Sequence, residues 1–528
     1  MSQTETIDAE SLKGALHDGL EIALLDVREP GEYGEGHLFY AVNTPYSTLE
    51  RDVSKLVPNK SVRVILVDDT GDGVALLAAK RLKDLGYRHV LILQDGQAGW
   101  GAAGYEIFAG VNVPSKAFGE LAEHHYHTPR ITAQELADKQ VSGEKLAIFD
   151  GRPYAEYQKM NIPGARCCPN GELALRIDEL VGDETTPIII NCAGRTRSII
   201  GAQTLINLGV SNPVFALENG TQGWYLADQQ LEHGSSHAWP PADPPSTEKQ
   251  RERAQKLADR FGIQTVSMEQ FNNFKQQRSR TTVLCDVRNS EEFQISHIAG
   301  AINAPGGQLI QATDQYVGIR GARLVLWDGD GVRAPVVAHW LTQLGWEVYV
   351  LDPAIKPNLI QATAAEDQSP TERLNFISCG ELLELMKHPV TLIDLRSSAS
   401  FRKGHVKGAV WLTRRDMREY LEDKESTPLV LIGEDKELLN NCLFDLKQAR
   451  CSAIYGFLFD QSATAGIALA ITPNDPPDEK RVDYLFFVHD RHEGNKAAAR
   501  QYLAWELNLV QQLDEQEMSS FRLSERKA

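Results

Sequence analysis

The stretch Ile188-Ile189-Ile190-Asn191-Cys192-Ala193-Gly194-Arg195-Thr196-Arg197-Ser198-Ile199-Ile200-Gly201 decides how this chain is read. Its β-branched apolar run predicts a buried strand, which stops on a cysteine. A helix-patterned stretch from Ser198 to Leu208 begins at once, so Cys192 stands at a strand tip facing a helix start. Free backbone N–H groups and the guanidinium groups of Arg195 and Arg197 favour a thiolate there. The expected product is a nucleophilic sulfur at neutral pH.

From Cys192 to Arg197 the spacing is Cys-x4-Arg, one residue shorter than the Cys-x5-Arg loop with which cysteine phosphatases wrap a phosphate. A tighter cradle suits a single bound sulfur. The segment resembles the active-site loop of the rhodanese family of sulfurtransferases, whose cysteine accepts a sulfane sulfur as a persulfide. That resemblance implies Cys192 as the catalytic residue, with Ala193, Gly194, Arg195, Thr196, Arg197 and Ser198 as the loop that holds substrate. The common thiosulfate-type loop reads Cys-Arg-x-Gly-x-Arg/Thr, and Ala193, Gly194 and Arg195 depart from it, which leaves the donor open.

The same pattern recurs along the chain. Asp26-Val27-Arg28, Asp150-Gly151-Arg152, Asp286-Val287-Arg288 and Asp394-Leu395-Arg396 each end an apolar run. Each leads to an acidic or polar residue beside an aromatic (Glu32-Tyr33, Glu156-Tyr157, Glu292-Phe293, Ser400-Phe401). Short Val/Ile/Leu runs alternate with helical stretches such as Val74 to Leu85 and Val332 to Leu344, which predicts buried parallel strands covered by helices. The expected class is α/β: four tandem rhodanese-like domains, each a small parallel sheet with helices on both faces. The expected boundaries are 1–112, 116–235, a Pro-rich linker at 236–250, 251–360, and 370–528. The prolines and glycines between Gly234 and Pro245 should divide the chain into two halves. A strand at Tyr484 to Val488 and a helix from Lys496 to Leu513 should close the last domain.

Only the second copy has a cysteine at the loop, so domains 1, 3 and 4 are expected to be inactive. Counting back from Leu85-Gly86, Leu208-Gly209 and Leu344-Gly345 puts Asp69 and Asp328 opposite Cys192, and Gly433 or Glu434 in the fourth copy. A carboxylate at a helix start reads as a cap. Asp150 and Arg152 occur in every copy, so a supporting ion pair is expected, with Glu156 as a further partner. Of Cys167 and Cys168, adjacent on a strand, only one should face a core, and Cys285, Cys379, Cys442 and Cys451 read as packing residues. His124-His125-Tyr126-His127 and His489-Asp490-Arg491-His492-Glu493 read as a solvent-exposed linker and a helix start rather than as metal sites.

A net charge of −18 argues against a nucleic-acid groove. The polar segment Met1 to Glu10 argues against a signal peptide and no run reads as a membrane span, while seven cysteines suit reduced thiols in a cytoplasmic protein. No metal or organic cofactor is expected. The partners are a small sulfur donor and a thiol or protein acceptor. Two rivals stay open: a cysteine phosphatase or arsenate reductase on the same fold, and a redox-sensing binding or scaffold protein.

Overall fold

A computed structural model describes residues 5–239, 246–357, 373–422, 427–446, 451, 453–460, 466–486 and 494–523. Each copy holds a five-stranded sheet, and all four sheets share one strand order, first-fifth-fourth-second-third. In the second copy the strands are Arg130–Ile131 (β1), Ala147–Asp150 (β2), Arg166–Cys167 (β3), Ile188–Asn191 (β4) and Val214–Leu217 (β5), all paired in parallel. The flanking helices are Val113–Tyr126 (α1), Ala133–Val141 (α2), Tyr154–Lys159 (α3), Asn170–Val181 (α4), Thr196–Asn207 (α5) and Gly220–Leu226 (α6).

Alternation along β4 explains the two cores. Ile189 joins Leu136, Tyr157 and Trp224 on one face, while Ile188 and Ile190 join Leu173, Ala202 and Leu205 on the other. Since helices cover both faces, a strand residue is buried whichever way it points. That corrects the expectation for the paired cysteines: Cys167 sits in the first core and Cys168 in the second, and both are fully buried.

The chain folds into two compact units. One comprises residues 1–12, 24–110 and 362–486, and so joins the first and fourth copies. There Arg414 binds Glu50 and Asp445, and Arg415 binds Glu32. The other comprises 13–23, 111–361 and 487–528, joining the second and third. There Trp340 Nε1 donates to Thr204 Oγ1 at 2.8 Å and Arg333 binds Glu172 at 3.0 Å. The expected division into two sequential halves is therefore wrong. Proline-rich chain can still pair at its flanks: Cys167 N–H donates to His237 O and Trp239 N–H to Cys167 O, extending the sheet beyond β3. Residues 240–245 lie outside the described residues.

The C-terminal expectations also change. Residues 484–486 form no strand, and 487–488 lie outside the described residues, as does the histidine group 489–493. The helix Lys496–Gln512 (α7) exists, but it belongs to the unit of the second and third copies and packs on α1 and α6. It closes the second copy, not the fourth, because an apolar helix face goes to whichever surface covers it. Among the described residues, no helix is long and apolar enough to cross a membrane.

Candidate active site

Cys192 follows the last residue of β4 and is almost fully buried, at 2% exposure. Its carbonyl accepts from Thr221 N–H at 2.8 Å, and that of Ala193 accepts from Gln222 N–H at 3.1 Å, so the first turn of α6 clamps the loop. Gly220 permits this approach. It has φ +53°, and a Cβ there would lie 2.2 Å from Cys192 O. Ser198 Oγ donates to Cys192 Sγ at 3.2 Å. The backbone N–H groups of Ala193 to Ser198 have no protein acceptor among the described residues, so the start of α5 offers them to an anion beside the sulfur.

The sister loops show what that cradle does when it is filled from within. Gly151 N–H bonds Asn191 O in the second copy, and the matching bonds are Val27 to Val67, Val287 to Trp327, and Leu395 to Ile432. The residues opposite Cys192 are therefore Asp68, Asp328 and Gly433. The first of these corrects the expectation of Asp69: the first copy carries one extra residue between this position and the helix end (Asp68 to Leu85 against Cys192 to Leu208), so counting back from the helix slips by one. Asp68 accepts N–H bonds from Gly71 at 2.6 Å and Ala75 at 2.9 Å. Asp328 accepts them from Gly331 at 3.0 Å and Ala334 at 2.8 Å. Both carboxylates cap their own loops, as expected of an aspartate at a helix start. Asp69 instead pairs with Arg28.

The two loop arginines are committed to carboxylates. Arg197 forms a two-pronged pair with Glu156, both bonds 2.8 Å. Although burial works against its charge, Glu156 raises the Arg197 pKa above the ordinary arginine value. The third copy repeats this pair with Arg333 and Glu292. Arg195 is buried, with Glu120 bound at 2.7 and 2.8 Å and Glu123 also in contact. Burial pushes the Glu120 carboxyl up to about 7 despite that guanidinium. Asp150 and Arg152 pair at 2.9 and 2.6 Å, and Arg152 also donates to Met160 O at 2.6 Å. The same fork recurs at Asp26–Arg28, Asp286–Arg288 and Asp394–Arg396, so this pair staples the loop after α3 to the strand end in every copy. Glu156, expected to join it, bonds Arg197, and although burial lowers the Arg152 pKa, the charge of Glu156 adds to that of Asp150 in raising it.

Behind the loop lie residues that sequence reading passed over. Thr196 Oγ1 donates to Glu506 Oε1 at 2.9 Å, and Lys116 Nζ reaches the same oxygen at 3.3 Å and also contacts Tyr502 OH. A Cβ on Gly194 would lie 2.8 Å from Glu506 Oε2. Glu120, Glu123 and Lys116 come from α1 and Glu506 from α7, so no local spacing announces them. A signal for α6 does exist: Gly-x-x-Gly-Trp occurs at Gly96 to Trp100 and again at Gly220 to Trp224.

The remaining cysteines have no comparable setting. Burial raises the thiol pKa values of Cys167 and Cys168, and lifts those of Cys285 and Cys442 to about 12. His124, His125 and Tyr126 lie in α1 rather than in a linker, and His127 caps it. Among the described residues no group of His, Cys, Asp and Glu could hold a metal ion.

The Rhodanese-like domain family matches four segments, residues 8–103, 132–227, 269–356 and 378–450. The crystal structure of a thiosulfate sulfurtransferase from Pseudomonas aeruginosa is 37% identical, with a TM-score of 0.88 over 98% of this chain and 99% of that one. A putative sulfur carrier protein of Bacillus subtilis is 30% identical over 28% of this chain and 85% of its own length. An HTH-type transcriptional regulator of Mycobacterium tuberculosis is 34% identical over 20% of this chain, which spans only 45% of that relative's length.

Proposed function

The chain belongs to the rhodanese-like domain family, and from that membership and the loop geometry we propose that it is a sulfurtransferase working through a persulfide on Cys192. One observation carries the reading: sister loops fill their anion cradles with Asp68 and Asp328, while the second copy has a buried thiol there and unclaimed N–H groups from Ala193 to Ser198. The likeness to a thiosulfate sulfurtransferase across nearly the whole chain supports the same reaction class.

In the first step the Cys192 thiolate attacks the outer sulfur of thiosulfate. The Cys192 S–S bond forms, the donor S–S bond breaks, and sulfite leaves with its electron pair. The loop amides and the Ser198 hydroxyl stabilise the persulfide anion without a general base. In the second step a thiol gives up its proton and its sulfur takes the outer sulfur, regenerating the Cys192 thiolate and yielding an acceptor persulfide. Cyanide does the same and leaves as thiocyanate. Ping-pong kinetics follow from the two half-reactions. The first, third and fourth copies, without a loop cysteine, serve as supporting domains.

Treatment with thiosulfate followed by mass spectrometry tests the reading. One added sulfur on the Cys192 peptide is expected. An unmodified Cys192 in a protein that turns over a chromogenic phosphoester would move the assignment to phosphatase chemistry.

A further inference from the structure

The fourth copy leaves open what the first copy closes. Gly433 stands opposite Cys192 and Asp68, so the next residue, Glu434, stands opposite Asp69. In the first copy Asp69 bonds Arg28 Nη1 at 2.8 Å, and Gln97 bonds Arg28 Nη2 at 2.6 Å. In the fourth copy Arg396 keeps its fork on Asp394 through Nε and Nη2, but Glu434 Oε1 stands 4.0 Å from Nη1, too far for a hydrogen bond. Arg396 is only 7% exposed, and its Nη1 has no hydrogen-bond partner among the described residues.

A cavity of about 310 Å3 lies at this gap, a size that takes a small organic molecule. It is lined by Arg396, Glu434 and Asp435 of the fourth copy and by Arg51 of the first, which belongs to the same compact unit. Gly433 puts no side chain into it. Leu439 lies 2.9 Å from where a Cβ on Gly433 would stand, and with Leu395 and Leu438 it forms an apolar wall. In the first and third copies this loop position is filled instead by a carboxylate capping its own loop.

The charges on the lining decide the chemistry. Arg51 holds Asp52 through Nε and Nη2, which leaves its Nη1, like that of Arg396, without a hydrogen bond among the described residues. Asp435 Oδ1 caps the helix Lys436–Asn441, while Asp435 Oδ2 and the Glu434 carboxylate accept no hydrogen bond among the described residues. Two guanidinium groups and two carboxylates, each with capacity to spare, thus line one space. A simple anion there would meet the carboxylates and a simple cation the guanidinium groups, and either is disfavoured by like charge. A zwitterion pairs with both signs, and the leucines cover an apolar tail.

We propose that this cavity binds a small zwitterion with an apolar tail, an aliphatic α-amino acid, its carboxylate on Arg396 and Arg51 and its ammonium on Glu434 and Asp435. The site is independent of the persulfide reading of Cys192, which belongs to the other compact unit.

L-leucine, titrated calorimetrically into the full-length protein, is the probe, and saturable binding is expected. Glu434→Gln and Arg51→Met should each weaken it about tenfold, through the loss of one charged hydrogen-bond partner. Both side chains are exposed, at 63% and 42%, so neither substitution threatens the fold. Two analogues test the same point on the unsubstituted protein. 4-Methylpentanoate, which is leucine without its ammonium, and 3-methylbutylamine, which is leucine without its carboxylate, should each bind at least about tenfold more weakly. No heat of binding at millimolar leucine, an affinity untouched by both substitutions, or an analogue that binds as well as leucine overturns the site.

Discussion

Glu506 accepts a 2.9 Å hydrogen bond from the Thr196 hydroxyl, although 310 residues separate the two in sequence. Thr196 opens α5, so the C-terminal helix is tied to the loop that carries the candidate nucleophile. Lys116 shares the Glu506 carboxylate, and both side chains are buried.

Removing that carboxylate should strand the Lys116 charge. Glu506→Ala is expected to destabilise the unit by about 3–5 kcal/mol in denaturant unfolding, and to slow persulfide formation as the loop loosens. Glu506→Gln keeps the acceptor for Thr196 and should cost less. Equal stability of Glu506→Ala and the unsubstituted protein would show that α7 does not support the loop.

Position 192 should tolerate an aspartate. Cys192→Asp is expected to fold and to lose sulfur transfer completely, because Asp68 and Asp328 already cap equivalent loops with N–H bonds. Cys192→Ser should be equally inactive, since a hydroxyl forms no persulfide. Turnover of thiosulfate and cyanide by either variant would remove Cys192 from the mechanism.

The Arg197–Glu156 pair allows the charge at the loop to be varied from both sides. Arg197→Ala should reduce use of anionic thiosulfate roughly ten- to a hundredfold, and a neutral persulfide donor less. Glu156→Gln frees the guanidinium and should lower KM for thiosulfate. Equal losses with both donors in Arg197→Ala would restrict Arg197 to holding the loop, the role that Arg333 and Glu292 suggest.

Gly220 should not accept a side chain. Gly220→Ala combines a left-handed backbone with a Cβ 2.2 Å from Cys192 O. A loss of at least about 1–2 kcal/mol in stability is expected from the backbone alone, together with slower persulfide formation. An unfolding curve and a persulfide rate matching those of the unsubstituted protein would contradict the clamp.

Glu120 should make stability depend on pH. Burial raises its folded pKa to about 7, above the ordinary carboxyl value, so between about 4.5 and 7 the folded state binds more protons than the unfolded state. Its contribution to stability therefore falls as pH rises through that window and is level above it. Arg195, Glu123 and Glu506 are the charged groups acting on it. Unfolding midpoints from pH 5 to 8 should show a shallower decline in Glu120→Gln, and identical slopes would place the proton elsewhere.

Much of this was legible in the sequence because it is local. The repeated Asp-x-Arg, the apolar runs and the loop after Ile190 are set by neighbours a few residues apart, and they specify four parallel sheets and a thiol at a strand tip. Cys192 and Ser198 sit on one turn of chain, so their contact follows from spacing. Asp69 in place of Asp68 shows the limit of counting, because one extra loop residue leaves no mark in the helix that follows.

What only the tertiary structure decided is which surfaces meet. The first copy joins the fourth, the second joins the third, and α7 returns to the second copy. Each of these matches depends on complementary burial between elements hundreds of residues apart. Chain order therefore gives no hint that Glu506 supports Thr196, that Glu120 holds Arg195, or that Lys496 pairs with Asp228. An apolar helix face encodes the need for a cover without naming it, and the lowest-energy partner is fixed only once all the competing surfaces have folded.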